Sequence, residues 1–97
     1  MSERTAPSLV KLDELLAAIK TLPASSAKDE ILETTEALRR AVAAFHMEAI
    51  RFRMYSVERQ LRKDGNAKCQ EAFESVRHEL ETAGFHTRSH AAPGQTT

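Results

Sequence analysis

The first apolar stripe of the chain has the spacing of a helix. It consists of Leu9, Leu12, Leu16 and Ile19. Residues three and four positions apart share one face of a helix, which is the pattern of an amphipathic segment. Pro23 ends the stripe because proline biases the preceding residue away from helical dihedral angles. The sequence therefore predicts a first helix over about residues 8–22.

The next segment stands out by its length. Between Ala27 and Lys63 there is no Gly and no Pro, and the strong helix formers Ala, Leu, Glu, Arg and Met dominate. The following break is Gly65, a residue type that can take the left-handed conformation closing many helices. These features predict one very long central helix over about residues 26–64, roughly 58 Å from end to end.

Two apolar stripes run along this predicted long helix. The first contains Ile31, Thr35, Leu38, Val42, Phe45, Ala49 and Phe52. The second contains Met47, Ile50, Met54, Val57 and Leu61. Projected at 100° per residue, the stripes lie about 130° apart. A single helix would then present them to two different partners, so we expect the first and third helices to fold back along opposite halves of the central one.

A third helix is predicted over about residues 67–83. Asn66 is a suitable N-cap for it, and Gly84 followed by Phe85 is typical of a Schellman ending. Its apolar stripe consists of Cys69, Phe73, Val76, Leu80 and Ala83. We expect the polar ends of the chain, residues 1–7 and 86–97, to be disordered.

Together these elements predict an all-α fold of three antiparallel helices, resembling a helical bundle or coiled coil, in a single domain over residues 8–85. The alternative is a compact three-helix bundle in which the central helix bends or overhangs, because the pattern does not decide whether that helix is continuous. The predicted core residues are Leu12, Leu16, Ile19, Leu38, Val42, Phe73, Val76 and Leu80.

Charge and cysteine content bear on the partners of the chain and on the compartment in which it is found. Its 97 residues include 14 basic and 14 acidic side chains, so no overall field draws it to nucleic acid or to an anionic membrane. The single cysteine, Cys69, cannot form an intrachain disulfide, which suits a reducing compartment. No signal peptide or membrane-spanning run is evident. We therefore expect a cytoplasmic protein.

The middle of the predicted long helix is the leading candidate for a functional surface. Apolar residues cover much of its circumference there, namely Phe45, Met47, Ile50, Phe52 and Met54. A chain this short has a marginal core, and large exposed apolar patches mark interfaces. The hypothesis is a non-enzymatic interaction protein, an adaptor, chaperone or protein inhibitor. It would dock helix on helix with another protein or with itself, most simply as a homodimer.

A nucleic-acid-associated regulator is the alternative function. Its contacts would come from Arg51, Arg53, Arg59, Arg62 and Lys63. Phosphate binding by this ridge would be sensitive to salt. However, Glu58 precedes Arg62 by four residues, the favourable order for an ion pair along a solvated helix face. Nucleic acid is therefore the less favoured partner.

Candidate catalytic, metal and cofactor groups are sparse. None of the four histidines has a Glu three residues before it, which disfavours the Glu-x-x-His pairs of metal-binding bundles. His86 and His90 have ligand spacing but lie in the polar tail. Cys69 could be a buried core residue or, in the first turn of a helix, a reactive thiol. We expect no enzymatic activity, no cofactor and no small-molecule substrate.

Overall fold

The structure, a computed structural model, describes residues 3–85 as four α-helices with no strand among those residues. A short 3-10 helix, Glu3–Thr5, leads directly into α1, Ala6–Lys20. The remaining helices are α2, Ser26–Ala43, α3, Met47–Asp64, and α4, Ala67–Thr82. The all-α prediction is confirmed. The prediction of three helices with one very long central helix is wrong, because the segment 26–64 forms two helices.

The break between α2 and α3 is a Schellman ending without glycine. The amide of His46 donates to the carbonyl of Ala41 at 3.0 Å, and the amide of Phe45 donates to that of Val42 at 3.0 Å. Phe45 has a φ of 60°, in the left-handed region that glycine usually fills. His46 then caps α3, since its Nδ1 accepts from the amide of Ala49 at 3.4 Å. The chain thus reverses within three residues.

Folding back brings both apolar stripes of the segment into one core. On α2, Ile31, Leu38 and Val42 are buried. On α3, the buried residues are Ile50, Met54, Val57 and Leu61. In one straight helix these two sets would face directions about 110° apart. In the antiparallel hairpin of α2 and α3 they pack against each other, and this is the physical reason for the break.

The two outer elements start and end near the predicted positions. Helix α1 begins at Ala6, and Glu3–Thr5 is a 3-10 helix. Residues 3–7 are therefore helical, whereas the sequence predicted that they would be disordered. The carbonyl of Leu80 accepts from the amide of Phe85 at 2.8 Å, which confirms the predicted Schellman ending of α4. The predicted disordered tail, residues 86–97, lies outside the described residues.

Helix α1 packs against both α2 and α4. Helix α3 packs closely on α2 but only lightly on α4, and the extents of 37 × 32 × 19 Å reflect this flat arrangement. All eight predicted core residues are buried. The single apolar core draws on every helix and consists of Leu9, Leu12, Leu15, Ala18, Ile19, Leu22, Ile31, Leu38, Ala41, Val42, Ile50, Met54, Val57, Leu61, Cys69, Phe73, Val76, Leu80 and Phe85.

Polar contacts close the other two turns. Lys28 Nζ donates to the carbonyls of Lys20 and Leu22 at 2.8 and 2.9 Å, satisfying groups at the end of α1. Asn66 caps α4 as predicted, accepting from the amide of Cys69 at 2.9 Å. Gly65 is extended, with φ −90°, rather than left-handed as predicted. A Cβ there would lie 2.8 Å from the Leu61 carbonyl oxygen, so glycine permits the close approach.

Two ion pairs link neighbouring helices. Asp13 of α1 accepts from Arg39 Nε of α2 at 2.8 Å, and this hydrogen bond lowers the pKa of Asp13 and raises that of Arg39. Nη2 of Arg77, on α4, lies 3.0 Å from Oε1 of Glu58, on α3. Its side chain is 3% exposed, whereas that of Glu58 is 32% exposed. Arg77 therefore joins two helices that are otherwise only lightly packed on each other.

Candidate docking surface on the third helix

The predicted interface residues of α3 divide between its two faces. Ile50 and Met54 have no exposed surface and lie in the apolar core against α2. The prediction that these two residues offer a docking surface is therefore corrected, because they fill the hairpin core that the sequence pattern had left open. Phe45, Met47 and Phe52 are exposed and retain the predicted accessibility.

We define the outer face of α3 as its exposed residues between Met47 and Lys63. These are Met47, Glu48, Arg51, Phe52, Tyr55, Arg59, Arg62 and Lys63. Three of them are large apolar groups, with Met47 48% exposed, Phe52 59% exposed and Tyr55 47% exposed. They occupy the first half of the helix, and three of the four basic residues occupy the second half. The outer face is thus apolar at its start and basic towards its end.

Arginine side chains hold the exposed rings of this face. The guanidinium carbon of Arg53 lies 5.3 Å from the ring centroid of Phe52, and that of Arg59 lies 5.6 Å from the centroid of Tyr55. Such cation–π contacts restrict ring and guanidinium together. Tyr55 was missed in the sequence analysis, although its position three residues after Phe52 places both rings on one side of the helix.

A second exposed aromatic group lies at the corner before α3. Phe45, 42% exposed, meets buried Phe85 edge to face with ring centroids 5.2 Å apart. Arg4 covers the same ring at 5.7 Å and donates to the carbonyl of Ala83. The start of α1, the α2–α3 corner and the end of α4 therefore meet at one end of the bundle. Phe45 is anchored there and belongs to this junction more than to the outer face.

The predicted basic residues do not act as one ridge. Arg53 is half-buried, whereas Arg51, Arg59, Arg62 and Lys63 are exposed. Arg62 forms the predicted ion pair with Glu58 at 3.0 Å. Lys63 and Arg59 line an open groove of about 520 Å³ between the end of α3 and the start of α2. Carboxylates of Glu30 and Asp64 line the same groove, so its charge is mixed.

Other candidate chemistry finds little support in residues 3–85. Within that range no group of three or more His, Cys, Asp or Glu side chains is placed to hold a metal ion. Cys69 is fully buried in the core, which favours its structural interpretation. His86 and His90 lie outside the described residues.

None of the helices in the described part of the chain is long and apolar enough to cross a membrane.

Comparisons with protein-family models, with curated proteins and with solved structures found no match to this chain.

Proposed function

We propose that this protein is a non-enzymatic interaction module that docks another protein against the outer face of α3. One observation carries the proposal. Met47, Phe52 and Tyr55 are large apolar side chains that point away from a core already closed by Ile50 and Met54. Burying such groups on association removes apolar surface from water, which is the main favourable contribution to binding.

The composition of the face supports this role. Aromatic residues, Met and Arg are enriched at protein interfaces relative to other surfaces, and the outer face combines all of them. An aromatic ring already restricted by a neighbouring guanidinium loses less side-chain freedom on binding. Adaptor, chaperone and protein inhibitor are the activities that such docking would serve. Association of two copies, expected from the sequence, stays a prediction.

Site-specific photocrosslinking tests the proposal in the cells that make the protein. A photoreactive phenylalanine analogue would replace Phe52 in one variant and Val10 in another. Val10 lies on α1 and is 57% exposed, almost the same as Phe52. We expect a discrete protein adduct from position 52 and none of that size from position 10. Adducts of equal yield from both positions, or none from position 52, would contradict the proposal.

A nucleic-acid partner is the second candidate, favoured by one specific observation. Phe52 and Tyr55 are exposed rings interleaved with Arg51 and Arg59, and single-stranded nucleic acid binds to surfaces with stacking rings and basic groups. The same photocrosslinking variants separate the two candidates. An adduct at position 52 that nuclease removes would support nucleic acid, and one that survives nuclease but not protease supports a protein.

A further inference from the structure

We infer that the partner of the outer face is an acidic amphipathic helix of a different protein, not a second copy of this chain. The inference rests on the proposed function and gives the partner its chemistry. It follows from the sign of the charge on the outer face, from the order of apolar and basic groups along α3, and from the other exposed residues of the described chain.

The charge of the outer face is locally positive in a chain that is neutral overall. The face contains four basic residues and one acidic residue, Glu48, and α3 as a whole has five basic against three acidic residues. The whole chain balances 14 basic against 14 acidic side chains. A docked partner would exclude water from these charges, and an acidic partner would compensate them. Complementary charge therefore points to carboxylates on the partner.

The order of residues along α3 defines the form of that partner. Residues three and four positions apart form a ridge on a helix surface. Such a ridge on α3 contains Phe52, Tyr55 and Arg59. A second helix packs along such a ridge with its own apolar residues at matching steps. Its apolar residues would contact Phe52 and Tyr55, and its carboxylates would lie beside Arg59 and Lys63 in the second half of α3.

A second copy of this chain fits the face poorly. Two outer faces packed on each other would bring Arg51, Arg59, Arg62 and Lys63 of both copies together, with Glu48 and the Glu58 that pairs with Arg62 as the nearby carboxylates on α3. Three of the four acidic residues of α4, Glu71, Glu74 and Glu79, lie around a groove that contains no large apolar side chain. Apart from Phe45 and the outer face, Val10 is the one exposed large apolar residue in the described chain.

Nucleic acid fits the face less well than an acidic helix does. A phosphate chain following the basic groups of Arg59 and Lys63 would pass Glu30 and Asp64, which line the same groove. Arg62 is already paired with Glu58. A protein helix can place a neutral or basic residue opposite those carboxylates, whereas a polyanion presents a charge at every nucleotide.

Peptide binding measured by fluorescence anisotropy tests the inference. Two labelled synthetic helices of 18 residues, the length of α3, would share a leucine face at three- and four-residue steps. One would have glutamate at its remaining positions and the other lysine. We expect the full chain to bind the glutamate peptide at least about tenfold more tightly, a modest preference because exposed charge pairs are individually weak.

Charge-reversal variants assign the preference to the outer face. The double variant Arg59→Glu, Lys63→Glu should reverse the preference in favour of the lysine peptide. The matched control Arg40→Glu, Lys68→Glu changes net charge equally on α2 and α4 and should retain it. If circular dichroism shows that the first variant is unfolded, Arg59→Gln, Lys63→Gln should abolish the preference without reversing it.

Three results would overturn the inference. The first is equal binding of both peptides, or of neither, by the unmodified chain. The second is tighter binding of a labelled thymidine oligonucleotide than of the glutamate peptide. The third is a dimer in light scattering that Phe52→Ser dissociates, which would place a second copy on the face. The third result would leave the proposed docking function intact, whereas failed crosslinking at position 52 would remove both.

Discussion

Phe45 adopts a backbone conformation that side chains with a Cβ rarely take. Its φ of 60° costs about 1–2 kcal/mol relative to right-handed helical angles. The edge-to-face contact with Phe85 and the guanidinium of Arg4 over its ring offset that cost. The corner between α2 and α3 is therefore held by tertiary contacts of one side chain, where most helices use glycine.

Replacing Phe45 by Gly or Ala separates these effects. Both variants lose the ring contacts, but only Gly occupies the left-handed region without strain. We expect the glycine variant to be more stable than the alanine variant by about 1 kcal/mol, measured by urea denaturation. Equal stability of the two variants would mean that the corner relaxes once the ring is gone.

Arg77 is the other residue whose role only the structure reveals. Its side chain is 3% exposed, contacts Glu58 and Glu74 at 3.0 and 3.2 Å, and lies over the ring of Phe73. In the sequence it belongs to a polar stretch of α4 and resembles any solvated helix residue. Its burial comes from tertiary packing around α4, which no local pattern encodes.

Truncation of Arg77 should therefore cost much more than truncation of Arg62. We expect Arg77→Ala to lower the free energy of unfolding by about 2–4 kcal/mol, because it leaves a cavity and removes a buried guanidinium that contacts two carboxylates. Arg62→Ala removes an exposed partner of the same Glu58 and should change stability by no more than about 0.5 kcal/mol. Similar losses in chemical denaturation would show that Arg77 contributes no more than a surface pair.

At the scale of elements, the apolar pattern finds core positions of α2 and α3, but it also includes the exposed Phe45, Met47 and Phe52 and misses the chain reversal. Ile31, Leu38 and Val42 on α2 and Val57 and Leu61 on α3 are all buried, as the two stripes indicated. The shift of about 130° between the stripes was interpreted as two partners for one helix. A chain reversal also produces such a shift. Without Gly or Pro near residue 45, helix propensity gave no sign of the break.

The two faces of α3 make a direct prediction about that element. Ile50→Asp places a charge in the core and should lower the free energy of unfolding by more than about 3 kcal/mol. Phe52→Asp lies on the outer face and should change it by no more than about 0.5 kcal/mol. Thermal denaturation followed by circular dichroism compares the two. Comparable melting of both variants would mean that Phe52 is also packed.

At the scale of the whole molecule, the sequence predicted the all-α class and the core residues but not the number of helices. Of the five predicted interface residues, three are exposed and two belong to the core. Burial removes Ile50 and Met54 from the predicted interface, and this error has the same origin as the error in fold. The interface role of the three exposed residues stays a prediction. Which face of α3 points outward depends on where α2 folds back, and that is decided by the junction at Phe45.

A distance measurement distinguishes the two shapes. Spin labels at positions 26 and 64, with Cys69 replaced by Ala, mark the ends of the predicted long helix. We expect a separation of about 10–25 Å by pulsed electron paramagnetic resonance, because α2 and α3 are neighbours. A continuous helix would give more than about 55 Å. Labels at positions 26 and 40, both within α2, should give about 21 Å in either case and serve as the control.

The pairing of α1 with α4 has a consequence for synthesis of the protein. The first helix packs against the last one, and Arg4 contacts the carbonyl of Ala83, 79 residues along the chain. Until α4 has been synthesised, the leucines of α1 can pack against α2 only. The side of α1 that faces α4 in the folded protein stays exposed to water during this time. We therefore expect the core to close only after α4 has been synthesised, because the contacts between α1 and α4 join distant parts of the chain.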